Sequence, residues 1–444
     1  MTTQAPANAS IAVGVIGRYR WLICGLLFLA TTVNYIDRQI LSLLKPVLDE
    51  KLHWTNEQFG QVNAAFQAAY AVGLLGFGAF VDAFGARLGY AVSIAAWSLA
   101  AIAHAAVGSV GGFTLARVAL GLGEGGNFPS SINAVALWFP KRERAFATAL
   151  FNAGSNVGAI IAPAVVPMIA SRWGWQAPFV MMGVAGLGWL FLWLPFYDDP
   201  GRVPRVSAGE LAYIAEARSE ERLDSRPSWR AILKHRQAWS FIVAKFITDP
   251  IWWFFLIWLP AYFKSTRHLD LKASWIYLVS IYSIITILSV AGGWLTGVLA
   301  RSGLGLSGAR KLAMLIFAAC VMPILFVPRA SPWGTVLLIG LAGAAHQAWS
   351  ANLFTTVSDM FPQRAVASVV GIGGMAGSVG GMIFPIYAGR LLDRFQAAGD
   401  IGAGYSVLFD ICGFAYLVAF ILNHILARRF DPLDLGDQKP LHKF

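Results

Sequence analysis

Twelve stretches of about 20 mostly apolar residues follow one another along the chain, each long enough to cross a bilayer. They run over roughly 20–44, 58–81, 88–108, 111–138, 145–170, 176–196, 238–263, 273–300, 311–328, 333–359, 366–389 and 404–427. A helix satisfies its backbone hydrogen bonds internally, so in lipid such runs read as spanning helices. Composition agrees, with 13% charged residues against about a quarter in soluble domains. The pattern predicts an all-α integral membrane protein. Six spans precede a polar stretch at 197–237 and six follow it. The expected layout is an N-terminal bundle over 1–196, a linker over 197–237, a C-terminal bundle over 238–430 and a tail over 431–444.

A net charge of +11 would suggest a nucleic-acid partner in a soluble protein, but here the charges fall mainly in loops. With the N-terminus inside, 22 Lys and Arg residues lie in loops on the cytoplasmic side and nine on the other. That bias predicts both termini in the cytoplasm. The first apolar run is too long for a signal-peptide core and leads into Asp37-Arg38 without a cleavage site, so it is expected to persist as an uncleaved helix. Cys24, Cys320 and Cys412 all sit in apolar runs, which argues against a disulfide framework or a cysteine metal site. In the linker, SAGELAYIAEARSEERL reads as an amphipathic helix at the membrane surface, within a solvated connector.

The chain also repeats itself. Phe139-Pro140, Arg142, Ala145, Val157-Gly158 and Pro163 recur as Phe361-Pro362, Arg364, Ala367, Val379-Gly380 and Pro385, each 222 residues later. An offset of six spans keeps both copies on the same side, which implies a parallel duplication with a midplane site between two halves. By this offset His346 takes the place of Glu124.

Asp37, Arg38, Arg117 and Glu124 lie inside spans in the first third of the chain. Each costs roughly 2.5–3.5 kcal/mol on insertion scales, so an intramembrane charge is by default a functional residue. Arg117 and Glu124 are two helical turns apart and share a face. Lys245 and Asp249, four apart in span 7, read as a supporting pair, and Pro250 is expected to break that helix locally.

The turn after span 2, Gly78-Ala79-Phe80-Val81-Asp82-Ala83-Phe84-Gly85-Ala86-Arg87, resembles the GxxxDxxGxR loop of the major facilitator superfamily. The resemblance implies a gating latch: Gly78 and Gly85 allow close helix approach, and Asp82 and Arg87 form charged contacts at the inner seam. The matching turn after span 8 has Gly297 where that pattern carries Asp. Asn34-Tyr35-Ile36-Asp37-Arg38, together with Arg117 and Glu124, resembles the anion:cation symporter family within that superfamily. It implies Arg38 as a carboxylate clamp, Asp37 and Glu124 as proton sites tuned by Arg117, and Tyr35 and Tyr70 as substrate contacts. Chemistry fits: Arg offers a planar fork to a carboxylate, and a carboxyl shielded from water can hold a proton near neutral pH.

Phe151-Asn152-Ala153-Gly154-Ser155-Asn156-Val157-Gly158-Ala159-Ile160-Ile161-Ala162-Pro163 and Ala345-His346-Gln347-Ala348-Trp349-Ser350 look like the hexuronate transporters. Ser155, Asn156, His346, Gln347 and Ser350 would offer mixed donors and acceptors to a polyhydroxylated anion. The resemblance implies proton-driven import of galacturonate or glucuronate by alternating access in a bacterial inner membrane. The protein is expected to work as a monomer, without a cofactor or metal. The same residues also suit an aldonate, an aldarate or an aromatic acid. An intramembrane enzyme is disfavoured, because the seven His are scattered without His-Glu-x-x-His and there is no Gly-x-Ser-x-Gly elbow. Drug efflux would favour a broad apolar pocket over a carboxylate clamp.

Overall fold

Helix α2 runs from Asn56 to His104, 49 residues and about 73 Å if straight, more than twice the hydrocarbon thickness of a bilayer. It folds back on itself at Gly85, whose φ of 80° and ψ of 164° interrupt the helix. Val81 and Gly89 meet across that turn, where a Cβ on Gly89 would lie 2.5 Å from Val81 Cγ2. Spans 2 and 3 are thus two helical limbs joined directly at Gly85.

The computed structural model describes residues 17–218, 229–269 and 271–433, and every regular element among them is helical. The first half holds α1 (Tyr19–Leu52), α2, α3 (Val110–Glu124), α4 (Asn127–Trp138), α5 (Lys141–Trp173) and α6 (Ala177–Phe196). Short helices α7 (Ala208–Arg218) and α8 (Trp229–Leu233) belong to the linker. The second half holds α9 (Arg236–Arg267), α10 (Leu271–Arg301), α11 (Gly305–Val321), α12 (Pro332–Met360), α13 (Gln363–Ala397) and α14 (Ile401–Leu426). Span 4 is α3 and α4 in sequence, and span 9 is α11 with a 3-10 extension over Met322–Arg329. Nine of the described helices are long and apolar enough to cross a membrane as they stand, and the fold is two pseudo-symmetric six-helix bundles. The middle of the linker and most of the expected tail lie outside the described residues.

The internal repeat is built into helix ends. Phe139 and Phe361 end α4 and α12 with nearly equal backbone angles, and each N–H bonds a carbonyl four residues back at 2.9 Å. Pro140 and Pro362 then open α5 and α13, as a residue with fixed φ and no N–H can at a helix start. Ser109 and Ser331, also 222 apart, cap α3 and α12 through the N–H groups of Gly112 and Gly334, both at 3.1 Å. That last pair is not apparent from the sequence repeat alone.

Two corrections concern the linker and α9. Glu210 of α7 is fully buried, not solvated. Its carboxylate accepts from the N–H groups of Tyr19 and Arg20 at 3.1 Å each and pairs with the Arg20 guanidinium at 3.0 Å. An acid at a helix N-terminus is favoured by unpaired N–H groups and the helix dipole, so the linker docks onto α1. Pro250 does not break α9, which continues through it to Arg267. The Phe246 carbonyl, left without the residue-250 N–H, instead abuts Gly380 of α13, where a Cβ would lie 2.5 Å away.

Among the described residues, the ion pairs and hydrogen bonds that join the two halves lie at the end far from the linker. There Ile40, Leu44 and Phe59 share one buried core with Phe254, Trp258 and Tyr262 of α9. Trp258 meets Phe59 edge-on at 5.2 Å, and Lys264 reaches Glu50 and the Pro46 carbonyl, both at 2.8 Å. Gly60 packs against the Pro385 backbone so closely that a Cβ would lie 2.3 Å from its oxygen. At the linker end, the described ion pairs Arg87–Asp198 and Arg310–Asp359 each stay on one side of the boundary.

Candidate functional site

Glycines on α3 bring the intramembrane charges together. A Cβ at Gly121 would lie 2.5 Å from the Phe66 carbonyl of α2, and one at Gly123 2.6 Å from the Trp97 backbone nitrogen. Because α3 presses so closely into the α2 hairpin, its last residue, Glu124, reaches α1. Arg38 Nε donates to Glu124 Oε2 at 2.5 Å, and Arg117 Nη2 donates to the Arg38 carbonyl at 3.3 Å. Both Arg117 and Glu124 are essentially fully buried.

Aromatic rings enclose the Arg38 guanidinium. Its Cζ lies 4.3 Å from the Tyr70 ring centroid, 5.3 Å from Tyr35, 5.5 Å from Phe66 and 5.8 Å from Trp253 of the other half. Such rings favour a cation over their faces and exclude water around it. Asp37, next to Arg38, is 2% exposed, and neither carboxylate oxygen has a hydrogen-bond partner among the described residues. The second oxygen of Glu124 is also unpartnered.

A cavity of about 20 Å³ adjoins Arg38 on its far-end side, bordered by Gln39, Ser42, Asn63 and Gln67 as well as Tyr35 and Phe66. Arg117 also reaches it, and Trp253, Leu256 and Ile257 of α9 close it from the second half. This volume suits about one water. The amide residues and Trp253 were not among the sequence candidates. Their signal was present: Gln67 lies one turn before Tyr70 in a run of alanines, and Gln39 and Ser42 follow Arg38 on α1.

The other candidates divide. Gly158 of α5 abuts Tyr35, with a Cβ position 2.8 Å from the Tyr35 Cβ, so α5 positions that ring. Ser155 lies nearby, but its hydroxyl donates to the Asn152 carbonyl of its own helix at 2.7 Å. Asn156 is half-buried on the same helix. His346 stacks on Trp252 at 5.3 Å and shares a short hydrogen bond with Tyr416, inside the second half. Gln347 and Ser350 flank it, half-buried on α12. None of these three borders the Arg38 cavity.

With this geometry in place, the comparisons are specific. A sequence profile described as Major Facilitator Superfamily matches residues 27–385. The chain belongs to the major facilitator superfamily. It is 30% identical over 418 residues to a hexuronate transporter of Escherichia coli (strain K12), covering 92% of this chain and 94% of that one. It is 32% identical over 256 residues to a galacturonate transporter of Dickeya chrysanthemi, covering 57% and 74%. Among solved structures it resembles a bacterial homologue of the human lysosomal transporter Spinster, with a TM-score of 0.74, 14% identity and 93% and 97% coverage. The protein is thus a multi-pass transporter related to sugar-acid transporters, not an enzyme.

The superfamily's loop motif is present but differs from the expected latch. Gly85 makes the α2 turn, whereas a Cβ on Gly78 would meet nothing within 4 Å. Arg87 pairs with Asp198 at the start of the linker at 2.9 Å and donates to the Leu194 carbonyl of α6 at 2.8 Å. Asp82 is exposed and makes no hydrogen bond or ion pair among the described residues. Among the described residues, the ion pairs that cross between the halves, Lys264–Glu50 and Arg390–Glu57, lie at the far end.

Proposed function

We propose that the protein imports a hexuronate, galacturonate or glucuronate, together with protons by alternating access. The observation carrying this reading is the 2.5 Å bond between Arg38 and Glu124. A substrate carboxylate must compete with Glu124 for the Arg38 fork. A proton on Glu124 removes its negative charge and frees the guanidinium, so proton and anion load together. Asp37, buried without a hydrogen-bond partner among the described residues, is the second proton site, because an unpaired buried carboxylate is strongly unfavourable. Arg117 holds this cluster through the Arg38 carbonyl. Carrying one negative charge inward against 100 mV costs about 2.3 kcal/mol, and one proton offsets that.

The relatives' printed names support the sugar-acid class. The bacterial relatives support an inner-membrane location, and the loop-charge bias supports both termini cytoplasmic, which makes the far end the outer one. The chain divides as 1–196, linker 197–237, 238–430 and tail 431–444, working as a monomer without a cofactor and driven by the proton gradient. Uptake of labelled galacturonate into proteoliposomes under an imposed proton gradient tests the assignment. Accumulation that ignores the gradient would remove proton coupling, and stronger competition by an aldarate, aldonate or benzoate than by glucuronate would move the substrate to that acid.

A further inference from the structure

The cavity beside Arg38 carries polar atoms that carboxylate binding leaves unused. Gln67 of α2 is fully buried, and neither its amide oxygen nor its nitrogen has a hydrogen-bond partner among the described residues. Gln39 of α1 is 2% exposed, with its amide nitrogen likewise unpartnered. Both border the same cavity as Arg38. Buried amide atoms are rarely left unpaired in folded proteins, and three of them at one cavity mark a place where polar groups bind.

We propose that Gln67 and Gln39 read the hydroxyl groups of a sugar acid whose carboxylate is held at Arg38, and so set selectivity for polyhydroxylated anions. The assignment rests on the reading of Arg38 as the carboxylate clamp. An amide offers an acceptor oxygen and two donors, so one side chain can accept from one hydroxyl and donate to the next on a vicinal diol. Being neutral, it does not compete with Arg38 for the anion. Arg38, Gln39 and Gln67 all stand on α1 and α2 of the first half, and their spacing survives movement of the second half. The opposite wall is apolar, formed by Trp253, Leu256 and Ile257 of α9. Withdrawal of α9 widens the cavity enough for a sugar ring without disturbing the amides. The Trp253 ring, already over Arg38, then covers the C–H face of that ring. Two hydroxyl readers expected from the sequence are otherwise engaged, Ser155 with its own helix and His346 with Tyr416.

The test is calorimetry on the full chain in lipid nanodiscs, with galacturonate, its monodeoxy analogues and cyclohexanecarboxylate as probes. Gln67→Leu is expected to weaken galacturonate by about tenfold or more, yet to bind at least one deoxy analogue as tightly as the parent protein does. Gln39→Leu should do the same for a different hydroxyl. Gln67→Met, unbranched like Gln, provides the same reading if the Leu variant does not fold. Unchanged galacturonate affinity in the folded variants would overturn the assignment. So would equal weakening of every probe, cyclohexanecarboxylate included, since that marks a packing role. If the parent protein bound no uronate and Arg38→Lys behaved like it, the clamp reading would fall and this one with it. Normal parent binding with unaffected Gln variants would sink this one alone.

Discussion

Asp393 of α13 caps the first turn of α2, and it does so across the boundary between the two halves. Its Oδ1 accepts from the Asn56 N–H at 2.9 Å and its Oδ2 from the Glu57 N–H at 2.8 Å. The Asn56 side chain donates back to Asp393 at 3.0 Å and to Gln396 at 2.8 Å. Thr55 and Gln58 form a local capping box on the same turn, so α2 keeps its start when the halves part. Asp393 acts instead on the docked state.

Asp393→Ala should therefore shift the population away from the state joined at the far end. A helix cap is worth about 1 kcal/mol, which corresponds to about a fivefold change. Spin labels at Lys51→Cys and Ala398→Cys would report it as a longer far-end distance in the variant. An unchanged distance distribution would remove Asp393 from the gate. Arg390→Ala, which breaks the exposed 2.6 Å pair with Glu57, should change little, because exposed pairs contribute about 0–1 kcal/mol.

Asp82→Asn is expected to slow transport while leaving equilibrium substrate binding intact. Asp82 is exposed, makes no hydrogen bond or ion pair among the described residues, and lies about three helical turns beyond Tyr70 on α2, so its effect is expected on the switch between states and not on binding. Gly297 leaves the matching turn without a carboxylate, so no second latch compensates. Initial rates in proteoliposomes alongside calorimetry check this. Altered affinity at an unchanged rate would contradict it.

Much of this architecture is legible in the sequence because lipid leaves few alternatives. A backbone in hydrocarbon must be helical or a closed barrel, and apolar runs of about 20 residues are too long for barrel strands, so apolar length locates most of the spans, and the 222-residue repeat pairs their ends. The Arg38, Arg117 and Glu124 cluster is legible for a related reason: a charge at that depth is conspicuous. Gln39 and Gln67 are less so: one follows Arg38 and the other lies a turn before Tyr70, but an uncharged amide does not stand out at that depth as a charge does. His346 matches Glu124 by repeat, yet it stacks on Trp252 and bonds Tyr416 inside the second half and does not border the Arg38 cavity. The Asp393 cap depends on how the halves dock, and no local pattern encodes that.

Glu210→Ala should loosen the linker without abolishing transport. It would leave two N–H groups at the start of α1 uncapped, while Arg20 would keep its 2.9 Å pair with Glu143. A loss of about 0.5–2 kcal/mol should appear as a lower unfolding temperature in detergent. Unaltered stability would mean that the buried carboxylate contributes nothing net.

Arg38→Lys retains the charge but loses the planar fork and its stacking among Tyr35, Phe66 and Tyr70. Galacturonate binding should fall by about ten- to a hundredfold, as expected when a charged hydrogen bond is lost, while expression and stability persist. Near-parental affinity in calorimetry would place the carboxylate elsewhere.

Glu124→Gln separates coupling from translocation. The amide is close in shape to a protonated carboxyl and carries no charge, so it holds Arg38 less firmly than the carboxylate does. The variant should exchange internal for external galacturonate at a rate near the parent's, yet fail to accumulate it under an imposed proton gradient. Its substrate affinity should also depend less on pH, because the group whose ionisation reclaims Arg38 is gone. Counterflow and gradient-driven uptake measured on the same proteoliposomes decide the matter. Loss of both activities would make Glu124 a structural partner of Arg38, and gradient-driven accumulation that survived intact would leave Asp37 as the sole proton carrier.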